Sequence, residues 1–474
     1  MRNWRLGMVL SASMAGVFSI AELSTIEEIL DGQRTAVVEI ADKLWREAEL
    51  GYLENVSSMV LGDYLTANGF SIERRSAGLP TAFVASAGSG SPVIGILAEF
   101  DALPGMSQAA SPKREILADE AAGHACGHNL FGAASVAAAV GLAKSLAIGE
   151  RSGTVRVYGT PAEEGGSGKV YMTRAGLFDD VDVVLHWHPG DRNNASPEST
   201  TANKSGRFEF HGVASHAAGS PERGRSALDG VEAMNHMVNM MREHVPSQAR
   251  IHYIITDGGD APNIVPEFAE AYYYVRHPKP DQVVLLFERV VAAARGAALG
   301  TGTRMNYEVM HGNYPVLRND ILARVLDRHM RTLGGIEYSA SEQTFADTLY
   351  ASLIGPTLQV GSQVEIQPFR FRQKMGSTDV GDVSWAVPTA GFSTATWVPG
   401  TPSHSWQAVA ASGTSIGHKG MMLAAKVIAL TGDELFRDRG LIRSARAEFI
   451  KNRGVDFDYQ ALLGDRQPPL DYRK

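Results

Sequence analysis

The sequence predicts an α/β fold in which a large domain is interrupted by a smaller α+β domain. Strands alternate with helices through residues 22–200, as in an α/β layer whose sites lie at the carboxyl ends of the strands. From Thr201 the pattern changes to the order β-α-β-β-α-β, which is the split βαβ sandwich. Helix-forming sequence then returns, so we predict one large domain from residues 22–200 and 313–474 and one inserted domain at residues 201–312.

Residues 1–21 resemble a secretory leader. Basic residues precede a mostly apolar run, and Ser19 and Ala21 supply the small side chains that a signal peptidase reads. Ser11 and Ser13 interrupt the apolar run, which leaves open a second interpretation, the frayed first helix of a cytosolic protein. The protein would be periplasmic or secreted under the first interpretation and cytoplasmic under the second.

In the large domain the apolar pattern separates helices from buried strands. Apolar residues at three- and four-residue spacing predict helices within residues 24–70. Residues 93–98 are almost all apolar, as in a buried parallel strand, and they lead into a polar loop. Residues 130–146 are apolar on nearly every face, which predicts a buried helix. Further strands are predicted at residues 154–159 and 181–188.

The inserted domain and the segment after it follow from the same patterns. Strands are predicted at residues 207–213, 250–256, 270–276 and 304–310, and helices at residues 226–243 and 281–298. After residue 312 we expect a helix from Asn319, an irregular stretch at residues 338–374 and a closing helix at residues 415–430.

Composition excludes two classes of partner. A formal net charge of −8, from 44 basic and 52 acidic residues, argues against a nucleic-acid or anionic membrane surface. After the possible leader we expect no segment that is long and apolar enough to cross a bilayer.

The loop at residues 123–129, GHACGHN, carries the first sign of chemistry. Cys126 is the only cysteine of the chain, and His128 follows it after one glycine, so both can face one metal ion. A small buried hydrophobe beside an incidental histidine is the alternative for such a pair. Similar clusters recur at the ends of strands or in Gly/Pro-rich loops, at residues 160–166, 185–189 and 400–406.

Together these clusters would supply five ligands, about as many as two divalent ions with a bridging carboxylate need. Glu163 and Glu164 are adjacent and therefore point in different directions. One can bind metal while the other takes the proton of a water molecule. A solvated loop is the alternative for such a pair, but Pro161 and the glycines at 165 and 166 indicate a tight turn at the end of a strand.

The motifs at residues 99–104 (EFDALP), 123–129 and 159–166 (GTPAEEGG) resemble those of the metallo-amidohydrolases and metallopeptidases related to aminoacylases and glutamate carboxypeptidases. Five further motifs resemble more narrowly those of the branch that contains the aminobenzoyl-glutamate hydrolases. They lie at residues 211–218, 224–229, 262–266, 379–385 and 400–407. The resemblance implies a catalytic α/β domain with two zinc or manganese ions. It also implies that the inserted domain is a lid that dimerises, in a homodimer or in a heterodimer of related chains.

The resemblance also implies a role for each matching residue. The matching metal ligands are Cys126, His128, Glu164 and His404. Glu163 matches the general base, His216 matches a lid histidine that reaches the site of a partner protomer, and Asn263 matches a lid residue near the substrate carbonyl.

Two positions depart from the wider pattern. Many relatives carry His-x-Asp where this chain has Glu99-Phe100-Asp101, so Asp101 is expected to orient a ligand while the Cys126 loop binds metal. The strand-end ligand is also ambiguous, because His186 and His188 lie two apart on one face of a strand. The histidine directly before Pro189 matches the narrower branch, so we favour His188.

The function implied is hydrolysis of the amide bond of an N-acyl amino acid, with N-aroyl-glutamates such as p-aminobenzoyl-glutamate first. Arg276 is the predicted anchor of the substrate carboxylate, since a guanidinium binds a carboxylate through two hydrogen bonds, and Arg225 is the second candidate. Three alternatives stay open at this point: an aminoacylase or dipeptidase acting on another N-acyl amino acid, a hydrolase with Cys126 as nucleophile, and a non-catalytic partner subunit.

Overall fold

The computed structural model describes residues 20–473, so most of the predicted leader lies outside the described residues. The helices are α1 (Ile20–Glu47), α2 (Asn55–Ala67), α3 (His128–Ile148), α4 (Gly168–Arg174), α5 (Ala227–Met241), α6 (Pro280–Thr301), α7 (Asp320–Leu333), α8 (Ala340–Tyr350), α9 (Val380–Ala386), α10 (Trp406–Ser412), α11 (Ser415–Arg437) and α12 (Arg439–Arg453). The strands are β1 (Ser71–Arg74), β2 (Phe83–Ser89), β3 (Val93–Ala98), β4 (Gly153–Gly159), β5 (Val183–Gly190), β6 (Glu198–Ser199), β7 (Ala202–His211), β8 (Arg250–Asp257), β9 (Phe268–His277), β10 (Arg304–Asn313), β11 (Arg372–Gln373) and β12 (Thr389–Ala395).

The large domain is built on a six-stranded sheet with the order β1-β2-β4-β3-β5-β12. Strands β4, β3, β5 and β12 are mutually parallel, whereas β1 and β2 join antiparallel at one edge. Parallel strands end at the same edge of a sheet, and loops that leave this edge are where α/β proteins place their sites. Four segments distant in sequence therefore meet there.

Helix α3 forms the centre of the large core. Its residues from His128 to Leu142 are all buried, and it packs against α1, α11 and strands β3, β4 and β5. Contrary to the expectation from sequence, α3 is long and apolar enough to cross a membrane by length and composition, alone among the described helices. Most of it is buried inside the fold, which is the ordinary state of a core helix.

The inserted segment folds as a second layer with its own core. Its four strands have the order β10-β7-β9-β8 and are all antiparallel, and α5 and α6 cover the sheet. The chain order is the predicted β-α-β-β-α-β, so the predicted fold class is confirmed. Strand β7 begins at Ala202, earlier than predicted, because its first residues pair with both β9 and β10. The exact domain limits stay a prediction.

Two parts of the large domain differ from the sequence interpretation. The stretch expected to be irregular contains α8, whose start is fixed by a capping box between Ser339 and Glu342. The closing helix extends to Arg437 and is followed by α12, which the apolar pattern did not reveal. Only Ile442, Ala445 and Phe449 of α12 are buried, so its apolar stripe is too narrow to stand out.

Candidate metal centre

The candidate site lies where the parallel strands of the large sheet end. Glu99 and Asp101 follow β3, the pair Glu163-Glu164 follows β4, His186 and His188 lie in β5, and the loop with His404 follows β12. Cys126 and His128 come from the loop that begins α3, and Gly127 between them has φ 70°, where a side chain would press on Pro189.

Two groups of donor atoms share Cys126. In one, Cys126, His128 and His188 present ligand atoms within 4.8 Å of one another, and in the other Cys126, Glu164 and His404 do so. The Nε2 atom of His404 lies 3.1 Å from the Cys126 sulfur and 3.4 Å from Oε1 of Glu164. The structure thus brings together all five ligands predicted from the sequence, and their role as ligands stays a prediction.

Asp101 connects the two groups. Its Oδ1 lies 2.9 Å from Nδ1 of His128, and its Oδ2 accepts a hydrogen bond of 2.8 Å from the backbone N–H of Glu164. The buried carboxylate therefore fixes the orientation of the His128 ring and the position of the Glu163-Glu164 loop together. With Nδ1 held in this way, His128 turns Nε2 towards the other donors.

His186 and His188 occupy different places although both face the same cavity. His188 donates from Nδ1 to the carbonyl of Pro189 at 2.7 Å, and its ring centroid is 5.5 Å from that of His128. His186 lies two residues earlier, outside the donor groups, with its ring against Gly391. Burial lowers the pKa of both histidines to about 3, so both are neutral.

The site has an excess of negative charge. Burial raises the pKa of the Cys126 thiol well above its usual range, and the carboxylates of Glu164 and Glu163 raise it further. Burial also raises the pKa of Glu163, with Glu164 adding to the effect and Lys169 opposing it. Burial disfavours the charged form of His128, but the nearby carboxylates of Asp101 and Glu99 outweigh burial and raise its pKa to about 10. A bound cation would offset the nearby negative charge and so lower the pKa of Cys126, Glu163 and His128.

Backbone strain is concentrated at the same place. Ala162, Ser167 and His404 have φ of 56°, 61° and 56°, in the left-handed region that residues with a side chain rarely adopt. Such residues persist where the surrounding structure holds them, and they cluster at functional sites. Here they aim the Glu163-Glu164 loop and the His404 side chain at the cavity.

The sequence interpretation missed three buried charged residues beside the donors. Lys169, at the start of α4, lies between the carboxylates of Glu99 and Asp379, and all three side chains are buried. Glu99 and Asp379 lie in the motifs at residues 99–104 and 379–385, but the resemblance assigned no role to either. Lys169 follows a Gly-rich loop, and no local pattern predicted that it would be buried.

A second missed feature is the segment that ends at Arg473. Tyr472 and Arg473 both donate hydrogen bonds to the backbone carbonyl of Glu164, at 3.2 and 2.7 Å. The Tyr472 ring packs edge-on against Tyr52 at a centroid distance of 5.8 Å. The segment thus holds the Glu163-Glu164 loop in place through the backbone carbonyl of Glu164.

A cavity of about 560 Å³ opens at the donors. Its lining includes Glu99, Cys126, Glu163, Glu164, His186, His188 and His404, apolar groups such as Phe131, Val316, Met375 and Phe392, and the cations Arg318 and Lys374. One wall is thus rich in ligand atoms, and the rest mixes apolar and cationic groups.

The lid residues predicted from the sequence do not line this cavity. His216, Asn263 and Arg225 are exposed on the inserted domain, where the His216 ring accepts hydrogen bonds from the amides of Ala218 and Gly219. Arg276 is half-buried over the Tyr274 ring, and its charge acts on His311, which bonds Ser167 beside the Glu163-Glu164 loop. The roles of these four residues stay predictions.

Comparison with known proteins agrees with this geometry. Residues 198–301 match the model of a peptidase dimerisation domain. The chain is 38% identical over 450 residues to the B subunit of p-aminobenzoyl-glutamate hydrolase of Escherichia coli K12, a match that covers 89% of this chain and 94% of that relative. It is 30% identical over 454 residues to the Xaa-Arg dipeptidase of Mus musculus, covering 92% and 94%. In fold it is similar to a dinuclear metal-binding peptidase of the M20 family from Bacillus subtilis, with a TM-score of 0.59 and 18% identity over 86% of this chain and 98% of that chain.

Removing the Arg473 guanidinium should loosen the loop of the site. A hydrogen bond from a charged donor contributes about 1.5 kcal/mol at the lower end of its range, so Arg473→Ala should speed amide exchange at Gly165 and Gly166 roughly tenfold. Hydrogen exchange measured by mass spectrometry or NMR checks this. The matched control is Arg250→Ala, which removes an arginine that donates hydrogen bonds to the nearby carbonyls of Ser247 and Ala249, far from the Glu163-Glu164 loop in sequence. Equal protection of both glycines in the two variants would contradict the role assigned to the segment.

Proposed function

Since the chain belongs to the M20 family of peptidases and amidohydrolases, we propose that it hydrolyses the amide bond of an N-acyl amino acid, with N-aroyl-glutamates such as p-aminobenzoyl-glutamate as preferred substrates. Family membership makes it a metal-dependent hydrolase. The observation that carries the proposal is the pair of donor groups that share Cys126 at the wall of a substrate-sized cavity.

The donor set fits two divalent ions, zinc or manganese. Thiolate, imidazole and carboxylate donors together suit zinc. Nε2 of His128 and Oε1 of Glu164 are buried and have no hydrogen-bond partner among residues 20–473, as expected of atoms that await a cation. In this proposal Cys126, His128 and His188 hold one ion, and Cys126, Glu164 and His404 hold the other. When bound, such ions polarise the amide carbonyl and lower the pKa of water.

Glu163 is the proposed general base. It lines the cavity beside the donor groups, and burial together with Glu164 raises its pKa, which brings its proton affinity closer to that needed near neutral pH. Glu163 would take the proton of the attacking water and deliver it to the amide nitrogen as the C–N bond breaks. Asp101 holds the Glu163-Glu164 loop and His128 in register for this transfer.

The cavity wall offers two cations to an acidic substrate. Arg318 and Lys374 line it and are partly exposed, and each is paired with an acidic residue, Asp320 and Glu198, with which a glutamate side chain would compete. Phe131 and Phe392 offer apolar surface for an aromatic acyl group. Arg276 and then Arg225 remain the proposed anchors of the α-carboxylate from the lid.

The dimerisation domain points to a dimer, and we propose that His216 acts in the partner's site. His216 is exposed and does not line the cavity of its own chain. Strand β8 is the edge of the lid sheet, and it exposes Ile254 and Ile255 by 60% and 44%. Exposed apolar residues on a sheet edge suit pairing with a second lid, either of this chain or of a related subunit. Asn263, beside His216 in the lid, would accompany it.

One observation favours a second candidate, a cysteine nucleophile. The Cys126 sulfur lies 3.1 Å from Nε2 of His404, within the reach of a Cys–His pair. The surroundings oppose this function, because burial and two carboxylates raise the thiol pKa whereas a nucleophilic cysteine needs a lowered one. Metal binding remains the better supported role for Cys126.

Metal removal combined with a substrate screen tests the proposed function. We expect exhaustive chelation to abolish hydrolysis and added zinc or manganese to restore it, with N-aroyl-glutamates turned over faster than their α-amides or Xaa-Arg dipeptides. Product release measured by chromatography checks this. If the enzyme keeps full activity after chelation and loses it only when Cys126 is alkylated, the cysteine nucleophile is the correct mechanism.

Substitution within the Glu163-Glu164 pair should separate turnover from metal binding. Glu163→Gln should keep metal content but lose turnover by about 10²–10⁴-fold, the usual contribution of a general base. Glu164→Gln should instead lower metal occupancy, because Oε1 of Glu164 lies in a donor group. Metal analysis and kcat on the same preparations check both, and wild-type turnover in Glu163→Gln would refute the assigned base.

Mixed dimers test whether His216 acts across the dimer. His216→Ala and Glu163→Gln, each inactive alone, should regain about a quarter of wild-type activity after random subunit exchange, since half of the dimers then hold one complete site. His236→Ala is the control, because His236 is an exposed lid histidine on α5 with no assigned role. Exchange demonstrated without regained activity would place His216 outside the partner's site.

A further inference from the structure

We propose that Glu99 is an additional metal ligand and that buried Lys169 is the residue that holds its carboxylate in place. This inference deepens the proposed function and rests on it. It concerns a triad of buried charges, Lys169, Glu99 and Asp379, to which the proposed mechanism gives no part.

Lys169 is held rigidly between the two carboxylates. Its side chain is fully buried, and Nζ lies 2.7 Å from Oε1 of Glu99 and 2.8 Å from Oδ1 of Asp379. Oδ2 of Asp379 also accepts a hydrogen bond of 2.9 Å from the backbone N–H of Lys169. Asp379 therefore binds both ends of the lysine, and the ammonium is presented to Glu99 from one fixed direction.

This arrangement leaves the second oxygen of Glu99 facing the donors. Oε2 lies 3.1 Å from Nε2 of His128, the nitrogen that is not bound to Asp101. Both atoms are buried, and within the described part of the chain neither has a hydrogen-bond partner. Two such atoms at this separation are suited to share one cation.

The neighbours of the pair support a ligand role. Glu99, His128 and Glu163 form a third group whose ligand atoms lie within 4.8 Å of one another, and Glu99 and Glu163 line the same cavity. His128 is the residue that this group shares with the group of Cys126 and His188. Because Oε2 of Glu99 lies against Nε2 of His128, we assign Glu99 to the ion that His128 would hold.

Lys169 has a positioning role because, without its ammonium, the Glu99 carboxylate would not stay beside the other carboxylates of the site. Glu163 and Asp379 lie close enough to Glu99 to interact with its charge, and Asp101 acts on Asp379, so these carboxylates repel one another. The ammonium draws Oε1 of Glu99 away from these groups and leaves Oε2 free. Removing it would let the Glu99 side chain turn, so Lys169 acts on the metal through Glu99.

A double-mutant cycle measured by metal binding tests the proposal on the full chain. Zinc content and competition with a chromogenic chelator are measured for wild type, Glu99→Gln, Lys169→Met and Glu99→Gln/Lys169→Met. We expect wild type to bind two zinc ions and Glu99→Gln to weaken one of them by about tenfold or more, as changes around metal ligands do. Lys169→Met should weaken the same ion, and it should add little once Glu99 is already changed.

The controls separate this role from simple charge balance. Glu342→Gln and Lys419→Met break another carboxylate–lysine pair, in which the carboxylate is buried and the lysine partly exposed; it does not line the cavity, so both zinc ions should stay bound as in wild type. In Lys169→Met/Asp379→Asn the buried charge is balanced again, so recovery of wild-type affinity would show that Lys169 only neutralises Asp379.

Each outcome decides a different point. Wild-type zinc affinity in Glu99→Gln would overturn the ligand role, and this variant suffices if Lys169→Met does not fold. Full additivity in the cycle would overturn the positioning role of Lys169. Failure of the wild-type chain to bind zinc or manganese would instead refute the proposed function itself.

Discussion

The carboxylate of Asp101 is the constraint on which the candidate site depends. It reaches the His128 ring with one oxygen and the backbone N–H of Glu164 with the other. These two partners belong to the start of α3 and to the loop after β4, so one buried side chain sets the distance between two elements. A buried carboxylate is costly unless it is fully hydrogen-bonded, and its partners here satisfy both oxygens.

The charges around Asp101 explain much of the remaining architecture. Glu99 and Asp379 are buried nearby, Glu163 is partly buried, and Lys169 is a buried cation that lies between Glu99 and Asp379. Burial raises the pKa of the Cys126 thiol and of Glu163, and the neighbouring carboxylates raise both further. A cavity of this kind is prepared for divalent ions, and their binding would lower both pKa values.

The fold divides chemistry from recognition and assembly. The donor atoms all lie at the carboxyl ends of the parallel strands of the six-stranded sheet and at the start of α3. The inserted domain instead carries the dimerisation module and the predicted substrate residues. The final segment links the two, because Arg466 pairs with Glu308 of β10 and Arg473 bonds the carbonyl of Glu164. The final segment therefore contacts both the inserted domain and the loop of the site.

Local patterns of residues are enough to predict the fold class and the set of candidate donors. All-apolar stretches identify β3 and α3, the β-α-β-β-α-β order identifies the inserted domain, and rare local clusters identify Cys126 and the Glu163-Glu164 pair. These features are local, since the period of apolar residues and the chemistry of a loop can be read over a few positions.

Which side chains meet depends on the three-dimensional fold. His186 and His188 share a face of β5, and only the approach of Cys126 and His128 distinguishes them. Lys169 and Asp379 are 210 positions apart, and Arg473 reaches Glu164 across 309. The order of strands in the sheet and the path of the closing segment create these contacts, and no local pattern of residues encodes either.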